Sequence, residues 1–496
     1  MVREPDYDVI IAGGGMSGLL TAAAVGVYSK QRARVLVVDR NPASEPGKKT
    51  VNGWTCGDAT SKNSLDYLYK NVGIQYGPPE IEHPVSGVLL FSPDHQTKVL
   101  FEGEGFMLSR KVLARKQVED ARKVGVEFAF GVSLDSLQFE DGWVTGVVGR
   151  NQDGSTFSKT AKVVVDSAGS ATKLRRSLAI ESKVEKEIDR DDLESTGRYI
   201  FDFEPGVEDK TWFDPKFAII HFDQYLSSGG YCWTFPRGEH KVNIGLGVQK
   251  SALDARNAKY GRRDTLQDLI DQYVRANKAI KNPVLSKAQQ DIGNNKGSWQ
   301  VPVRRHNDCL VANGYALVGD AAWMPRPIDA GGIGPCIYSS VILGGVLARA
   351  LEAKDTSEGG LWGYNVEYMR FYGYQMSSFE ILRSYLQTLT NEEISYGMKH
   401  FLSEDDVAHI TRRQHPEFDR VRMFNPMMWL RILAEPALAS NLRFTAKQSE
   451  SLISHNLNYP EKPAGWFEWK KGLVRQLNEA FGRFGLKKIP LTGPAE

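Results

Sequence analysis

Glycines near the start of the chain are spaced as in a loop that binds a pyrophosphate. The run Gly13-Gly14-Gly15-Met16-Ser17-Gly18 fits the pattern G-x-G-x-x-G. The first glycine of this pattern allows a tight turn, the second lets backbone amides approach phosphate oxygens, and the third lets a helix pack closely on a strand. Asp39, followed by Arg40, stands about 20 residues further on, where a carboxylate can accept hydrogen bonds from a ribose diol. The pattern therefore predicts a dinucleotide at the N-terminus of a helix.

A second element, far downstream, indicates which dinucleotide is bound. The apolar residues 315–318 end in Gly319-Asp320, and Gly331, Gly332 and Ile333 follow at the start of a long apolar stretch. This late element has no counterpart in a soluble NAD dehydrogenase, but it fits a flavoprotein that buries an extended FAD. We expect Asp320 to bind the ribitol and the helix start to face the pyrimidine edge of the flavin. A helix N-cap is the alternative role for Asp320.

Hydrophobic patterning predicts the elements that position these residues. Residues 7–12 and 34–39 are apolar and β-branched, as in buried parallel strands, and residues 19–28 between them are predicted to be helical. Residues 162–169 predict a third parallel strand that ends at Gly169, preceded by a β-meander with Asp-Gly turns over 137–161. Further helices are predicted at 61–70 and 251–279.

The stretch 331–351 is long and apolar enough to suggest a membrane span. It contains five glycines and a proline, and it follows the second cofactor element directly. A buried helix of the nucleotide-binding domain is therefore the preferred interpretation.

Composition excludes several classes of protein. Lys and Arg total 62 against 60 Asp and Glu, so the chain lacks the excess of positive charge that is typical of proteins that bind nucleic acid. The 496 residues exceed what one compact core usually holds. The four cysteines stand at unrelated spacings, so we expect neither a disulfide framework nor a metal site. The early apolar run is broken by glycines, so we expect no secretory signal and a cytoplasmic location.

Four segments resemble the geranylgeranyl reductase family, within the p-hydroxybenzoate hydroxylase-like FAD superfamily. They are Cys56-Gly57-Asp58, which lies near the flavin in relatives; Leu108-Ser109-Arg110, which resembles the arginine segment that approaches the FAD pyrophosphate; Gly230-Tyr231-Cys232-Trp233-Thr234-Phe235-Pro236 followed by Asn243-Ile244-Gly245-Leu246-Gly247; and the C-terminal helical region from Leu361-Trp362 to Tyr396-Gly397-Met398. The third is the most specific, because monooxygenases of the superfamily lack it. The resemblance covers residues 7–460.

The chain departs from this family after Gly319-Asp320. Relatives usually carry Asn-Pro and then three glycines, whereas this chain has Arg326 at the asparagine position and Ala330 at the first glycine. The departures bear on flavin contacts, substrate choice and flavin potential.

The resemblance implies saturation of isolated double bonds in a prenyl chain, by a hydride from reduced flavin and a proton from an acid. Tyr231, Trp233 and Phe235 alternate along one strand and would line an apolar tunnel for that chain, although such aromatic residues often belong to a core instead. Cys56 is predicted to lie beside the flavin and is one candidate for the proton donor, but its role stays open. Asp58 is predicted to contact the cofactor or to cap the next helix.

The predicted fold class is α/β. A discontinuous Rossmann-like FAD domain (residues 1–78, 107–182 and 298–356) carries an inserted α+β substrate domain with an antiparallel sheet (79–106 and 183–297), and residues 357–496 form a C-terminal helical domain. In the tail, Trp466, Trp469, Leu473 and Leu477 recur at helical spacing. With Met427-Met428-Trp429-Leu430 this face could contact a membrane surface, or the helix could close the core.

The resemblance also implies partners. The substrate would be a prenylated glycerophospholipid or geranylgeranyl diphosphate, and reduced ferredoxin or NAD(P)H would be the external electron donor. The protein would contact the inner face of the membrane peripherally. Two other functions compete with this one: an FAD monooxygenase of the same superfamily, and a prenyl-lipid escort protein that has lost catalysis.

Overall fold

The computed structural model describes residues 4–47, 56–206, 208–286, 296–402 and 434–491. Within them the chain forms two sheets with helices around them, an α/β architecture as predicted. The strands are β1 Tyr7–Ala12, β2 Val35–Asp39, β3 Ala59–Ser61, β4 Ile81–Phe91, β5 Lys98–Leu108, β6 Glu127–Phe130, β7 Ser133–Glu140, β8 Trp143–Arg150, β9 Thr156–Asp166, β10 Leu193–Asp202, β11 Ala218–His221, β12 Cys232–Pro236, β13 Lys241–Gln249, β14 Val284–Leu285, β15 Lys296–Pro302, β16 Val311–Ala312 and β17 Tyr315–Leu317.

Helices follow five of these strands and make up the C-terminal part of the described chain. They are α1 Met16–Tyr28, α2 Lys62–Val72, α3 Arg110–Lys123, α4 Lys250–Lys259, α5 Leu266–Ala276, α6 Ile333–Ala353, α7 Glu358–Leu361, α8 Gly363–Phe371, α9 Met376–Leu386, α10 Asn391–His400, α11 Pro436–Leu457 and α12 Trp466–Arg483.

The first sheet is the predicted nucleotide-binding sheet, with the order β16-β17-β9-β1-β2-β6. The strands β1, β2 and β17 and the second half of β9 pair in parallel and are almost wholly buried, which explains their β-branched composition. The last strand of the predicted meander and the predicted third parallel strand are one continuous strand, β9. Its first half is antiparallel to β8 and its second half is parallel to β1.

The second sheet has the order β14-β10-β13-β12-β11-β4-β5-β3, with β15 also on β10. It contains the strands of the predicted substrate domain. It also contains the short β3 that follows Cys56 and β15, most of which falls in a segment that was predicted for the FAD domain. The proposed domain boundaries remain a prediction.

One predicted helix differs in the structure. The predicted helix 251–279 is divided into α4 and α5, because Gly261 has a positive φ of 61° and Thr265 begins α5 with a capping box.

The long apolar helix is α6, the one described helix whose length and composition could cross a membrane, and 78% of its most apolar stretch is buried in the protein. It packs against α1 so closely that a β-carbon on Gly344 would lie 2.4 Å from that of Ala24.

The tail helix α12 closes the core, which is one of its two predicted roles. Its apolar side chains are buried in the apolar cluster that also contains the strands of the first sheet: Trp466, Trp469, Leu473, Leu477, Ala480 and Phe481. Residues 427–430, the other part of the predicted membrane patch, lie outside the described residues.

Candidate active site

The first glycine run forms the predicted turn between β1 and α1. Gly13 has φ of 107°, a backbone conformation that favours glycine, and its carbonyl lies 2.0 Å from where a β-carbon on Gly18 would stand. A β-carbon on Gly15 would meet no atom within 4 Å, so this side of the turn is open. Gly15 caps α1 without a side-chain hydrogen bond, which leaves the first-turn amides to an anion.

Asp39 lies at the end of β2 and holds this turn. Its carboxylate accepts hydrogen bonds from the backbone amides of Gly14 (2.5 Å) and Asn41 (2.7 Å). Burial raises the pKa of this carboxyl group, while those two hydrogen bonds oppose the shift. Arg40 is exposed beside it, and Gly169 lies at the same edge of the sheet, just beyond β9, with φ of 85°.

The second cofactor element packs directly onto the first. A β-carbon on Gly319 would lie 2.4 Å from the Ser17 hydroxyl, so the Gly319-Asp320 turn lies against the first turn of α1. Asp320 lies in a short 3₁₀ turn, Gly319–Ala322, whose N-cap is Val318, so it does not take the alternative role of a helix N-cap. A carboxylate oxygen of Asp320 lies 3.9 Å from the β-carbon position of Gly332, the N-cap of α6.

The predicted arginine reaches the same cleft from α3. Its guanidinium lies 3.7 Å from Cys56 Sγ and 4.0 Å from Met16 Sδ. Burial alone would lower the pKa of Arg110, but Cys56, Asp58 and Asp320 around it hold that pKa above its usual range. The side chain of Ile333 is buried in an apolar cluster with Met16 and Cys56.

The segment Cys56-Gly57-Asp58 joins this cleft to the second sheet. A β-carbon on Gly57 would lie 2.9 Å from the ring of Phe235. Asp58 is fully buried and has φ of 66°. Its carboxylate accepts hydrogen bonds from Arg237 (3.0 Å) and Asn243 (3.2 Å), so Asp58 does not cap the following helix.

Asn243 and Arg237 were missed as site residues. Asn243 donates to the Cys56 carbonyl (2.8 Å) and accepts the indole N–H of Trp233 (2.9 Å). Arg237 continues the ion pair from Asp58 to Glu82, 2.7 Å away. Both residues lie in or next to the signature around Trp233, which was the available signal, but their partners are distant in sequence.

The three signature aromatic residues lie on one face of the second sheet. The ring centroids of Tyr231 and Trp233 are 6.0 Å apart, and those of Trp233 and Phe235 are 6.1 Å apart. They form an apolar surface, which we call the aromatic face, with Val85, Val88, Leu90, Met107, Ala218 and Ile220. Tyr231 donates a hydrogen bond to the carbonyl of Asp329 (2.6 Å), two residues before Gly331. The aromatic face therefore extends from the loop before α6 to Gly57.

The loop before α6 is shaped by the two departures from the family pattern. Arg326 forms an ion pair with Asp329, and Asp329 accepts the amide of Gly331 (3.0 Å). Ala330 has φ of 52°, in the left-handed region where relatives have glycine.

Comparisons with known proteins identify relatives of this chain. Residues 196–287 match the family model of the geranylgeranyl reductase catalytic domain. The chain is 30% identical to a digeranylgeranylglycerophospholipid reductase from Sulfolobus acidocaldarius over 96% of this chain and 99% of that protein. It is 26% identical to a protein of the same name from Methanothrix thermoacetophila, over 80% of this chain and 92% of the relative.

Solved structures share the fold. A geranylgeranyl bacteriochlorophyll reductase-like protein from Thermoplasma acidophilum superposes with a TM-score of 0.68 at 20% identity, over 88% of this chain and 99% of that one. A myxobacterial FAD-dependent halogenase gives a TM-score of 0.58 at 17% identity, over 90% and 96% of the two chains. With the full-length similarity to the Sulfolobus protein, these findings show that the chain belongs to the geranylgeranyl reductase family of flavoproteins.

Proposed function

We propose that this chain is an FAD-dependent reductase that saturates isolated double bonds of geranylgeranyl chains on archaeal-type glycerophospholipids. Two relatives, which this chain matches over 99% and 92% of their length, are named digeranylgeranylglycerophospholipid reductases. The observation that carries the proposal is the direct contact between the glycine-lined cleft and the aromatic face, through Gly57 on Phe235 and through Asn243 between Trp233 and Cys56.

The residues of the cleft fit an extended dinucleotide. The N-termini of α1 and α6 both lack a side-chain cap and both face this cleft. Gly15 leaves room for a pyrophosphate, while Asp39 and Asp320 place carboxylates where two sugar-like groups would lie. Arg110 supplies a positive charge beside Cys56 and near Asp320. This set of contacts suits FAD, which we propose as the flavin.

An isolated trisubstituted alkene is not polarised, so the protein must hold it in place and exclude water. The bound flavin supplies the hydride once an external donor has reduced it. The aromatic face offers the prenyl chain an apolar surface in which Trp233 and Phe235 are themselves buried. The hydrogen bonds of Trp233 to Asn243 and of Tyr231 to the Asp329 carbonyl fix the rings in position.

The partners follow from this reaction. We propose a prenylated glycerophospholipid as the substrate, with geranylgeranyl diphosphate as the alternative substrate to be tested beside it. The electron donor is proposed to be external, either reduced ferredoxin or NAD(P)H. A cytoplasmic protein that contacts the inner face of the membrane would reach both a soluble donor and a lipid substrate.

The experiment uses flavin-loaded protein, reduced with dithionite without oxygen and mixed with a geranylgeranyl glycerophospholipid or with the diphosphate. Mass spectrometry should show a gain of two hydrogens for each saturated double bond. The competing monooxygenase function predicts an unchanged lipid here and a hydroxylated product when oxygen is present. A protein that fails to bind FAD would favour the escort function instead. If neither substrate gains hydrogen, the proposal is refuted.

A further inference from the structure

A buried carboxylic acid lies on the second sheet beside the aromatic face. Glu194 is the second residue of β10, between β13 and β15, where it pairs with Gln249 and Val301. The residue is only 5% exposed. Neither the sequence motifs nor the contacts around Cys56 involve it.

The side chain of Glu194 lies on the same face of the sheet as Trp233. A β-carbon on Gly247 would lie 3.0 Å from a carboxylate oxygen of Glu194, and a β-carbon on Gly245 would lie 2.3 Å from the indole of Trp233. Because Gly245 and Gly247 are two residues apart on β13, their side-chain positions share one face. The two glycines of the signature thus leave space above the sheet, occupied at one end by the indole and at the other by the carboxyl group.

Glu194 also lies near the flavin end of the aromatic face. It is one of the acidic groups that, together with burial and Asp329, raise the pKa of Tyr231. The hydroxyl of Tyr231 contacts the Asp329 carbonyl immediately before the glycines at the start of α6. The carboxyl group is therefore close to the point where the aromatic face meets the cofactor cleft.

The charged groups around Glu194 do not pair with it. Arg383, on α9, is the cation that lowers its pKa, but the guanidinium of Arg383 forms an ion pair with Asp192 at 2.9 Å. The hydrogen bond that Arg383 donates goes to Asp192 and not to Glu194. Burial, opposed by Arg383, raises the pKa of Glu194 to about 7, so at neutral pH much of it carries a proton.

The other acidic groups near the site are held in an ion pair or already use their proton in a hydrogen bond. Asp58 is paired with Arg237, and the Tyr231 hydroxyl proton is donated to Asp329. Cys56 accepts the amide N–H of Asp58 (3.3 Å) and lies beside Arg110, on the cleft side. A buried acid with a pKa close to the working pH is the kind of group that serves as a general acid.

We infer that Glu194 donates the proton that accompanies hydride transfer to the prenyl double bond. The inference rests on the proposed reductase function. The O–H bond of the carboxylic acid breaks as a C–H bond forms at one alkene carbon, while the hydride from the reduced flavin forms the other C–H bond. The two-electron reductant is the flavin, which is oxidised, and the carboxylate left on Glu194 takes a new proton from water before the next turnover.

The test compares Glu194→Gln and Glu194→Asp with wild type, with Glu181→Gln as an exposed control for the same chemical change. The glutamine variant retains shape but has no acidic proton. In single turnovers of the reduced holoenzyme, we expect it to saturate the lipid about 100-fold or more slowly, since general acids contribute about 100- to 10,000-fold. The KM for the lipid and the flavin content should stay unchanged, and the aspartate variant should recover part of the rate.

The second readout does not depend on turnover. Infrared difference spectra of the flavin-loaded protein should show a protonated carboxyl band that titrates near pH 7 in wild type and in the Glu181→Gln variant but is missing in Glu194→Gln. Both the missing band and the slow turnover are required. A Glu194→Gln variant within twofold of the wild-type rate overturns the inference while the reductase function stands, and so does the absence of a band at neutral pH. Wild-type enzyme that adds no hydrogen overturns both.

Discussion

At the scale of single residues, the carboxylates of Asp39 and Asp320, which flank the cleft, have different roles. Asp39 binds the amide of Gly14 and so supports the turn itself, whereas Asp320 lies next to the uncapped start of α6. We expect Asp39→Ala and Asp320→Ala each to weaken FAD retention by about 1–3 kcal/mol, the usual cost of a lost charge-assisted hydrogen bond. Titration of flavin-free protein with FAD measures this directly. Unchanged affinity in both variants would place the cofactor elsewhere.

Trp233 acts through its ring and its N–H. Trp233→Ala should keep the flavin spectrum and dithionite reduction but slow saturation by about 100-fold, because a shift of about 1 Å in the reacting chain can cost that much. Trp233→Phe retains an aromatic ring but leaves Asn243 without its indole donor, so an intermediate rate is expected.

The matched control for both variants is Trp212→Ala. Trp212 packs against the other apolar cluster of the second sheet, with Phe91, and its loss should leave the saturation rate unchanged. Equal rates for Trp233→Ala and wild type would leave the family assignment intact but would contradict the proposal that the aromatic face binds the prenyl chain.

At the scale of elements, the loop before α6 contains backbone strain that can be measured. Ala330 has φ of 52°, which is unfavourable for a residue with a β-carbon. Ala330→Gly should therefore raise the free energy of unfolding by up to about 1 kcal/mol. The same substitution at Ala255, exposed in the middle of α4, should lower it by about 1 kcal/mol. Thermal unfolding of the two variants checks this, and equal signs would show that the loop does not strain Ala330.

Most of the elements could be predicted because their signals are local. The glycine turn, the β-branched strands and the apolar helix α6 each follow from a few consecutive residues. The division of 251–279 into α4 and α5 was missed, since a helical pattern resumes on both sides of Gly261. The contacts of Asp58 with Arg237, and of Glu194 with the face that carries Trp233, join residues far apart in the chain, so no local pattern specified them.

At the scale of the whole molecule, buried charges fix the C-terminal helices to the nucleotide-binding part. Lys470, on α12, is fully buried and pairs with Asp308 and Glu185, while Arg305 joins Asp308 to Glu380 on α9. Burial alone would raise the pKa of Asp308, but Arg305 and Lys470 hold it well below its ordinary value. Asp308 therefore stabilises the fold above the pKa it has when unfolded, and this stability is lost as pH falls below about 4.

Lys470→Met should cost about 3–5 kcal/mol, because it leaves buried carboxylates without their cation. The neighbouring Lys471, exposed and paired with Glu468, provides the control, since Lys471→Met should change stability by less than about 1 kcal/mol. Thermal unfolding at neutral pH distinguishes the two variants. Similar melting temperatures would show that the cluster does not hold α12 in place.

The most direct test of the account is the reoxidation of the bound flavin by a prenyl lipid without oxygen. Holoenzyme is photoreduced, mixed anaerobically with a geranylgeranyl glycerophospholipid, and followed by flavin absorbance together with the mass of the lipid. The account predicts that the oxidised flavin spectrum returns and that each flavin oxidised adds two hydrogens to the lipid. A flavin that stays reduced with this lipid and with geranylgeranyl diphosphate, yet reoxidises promptly in oxygen, would contradict it.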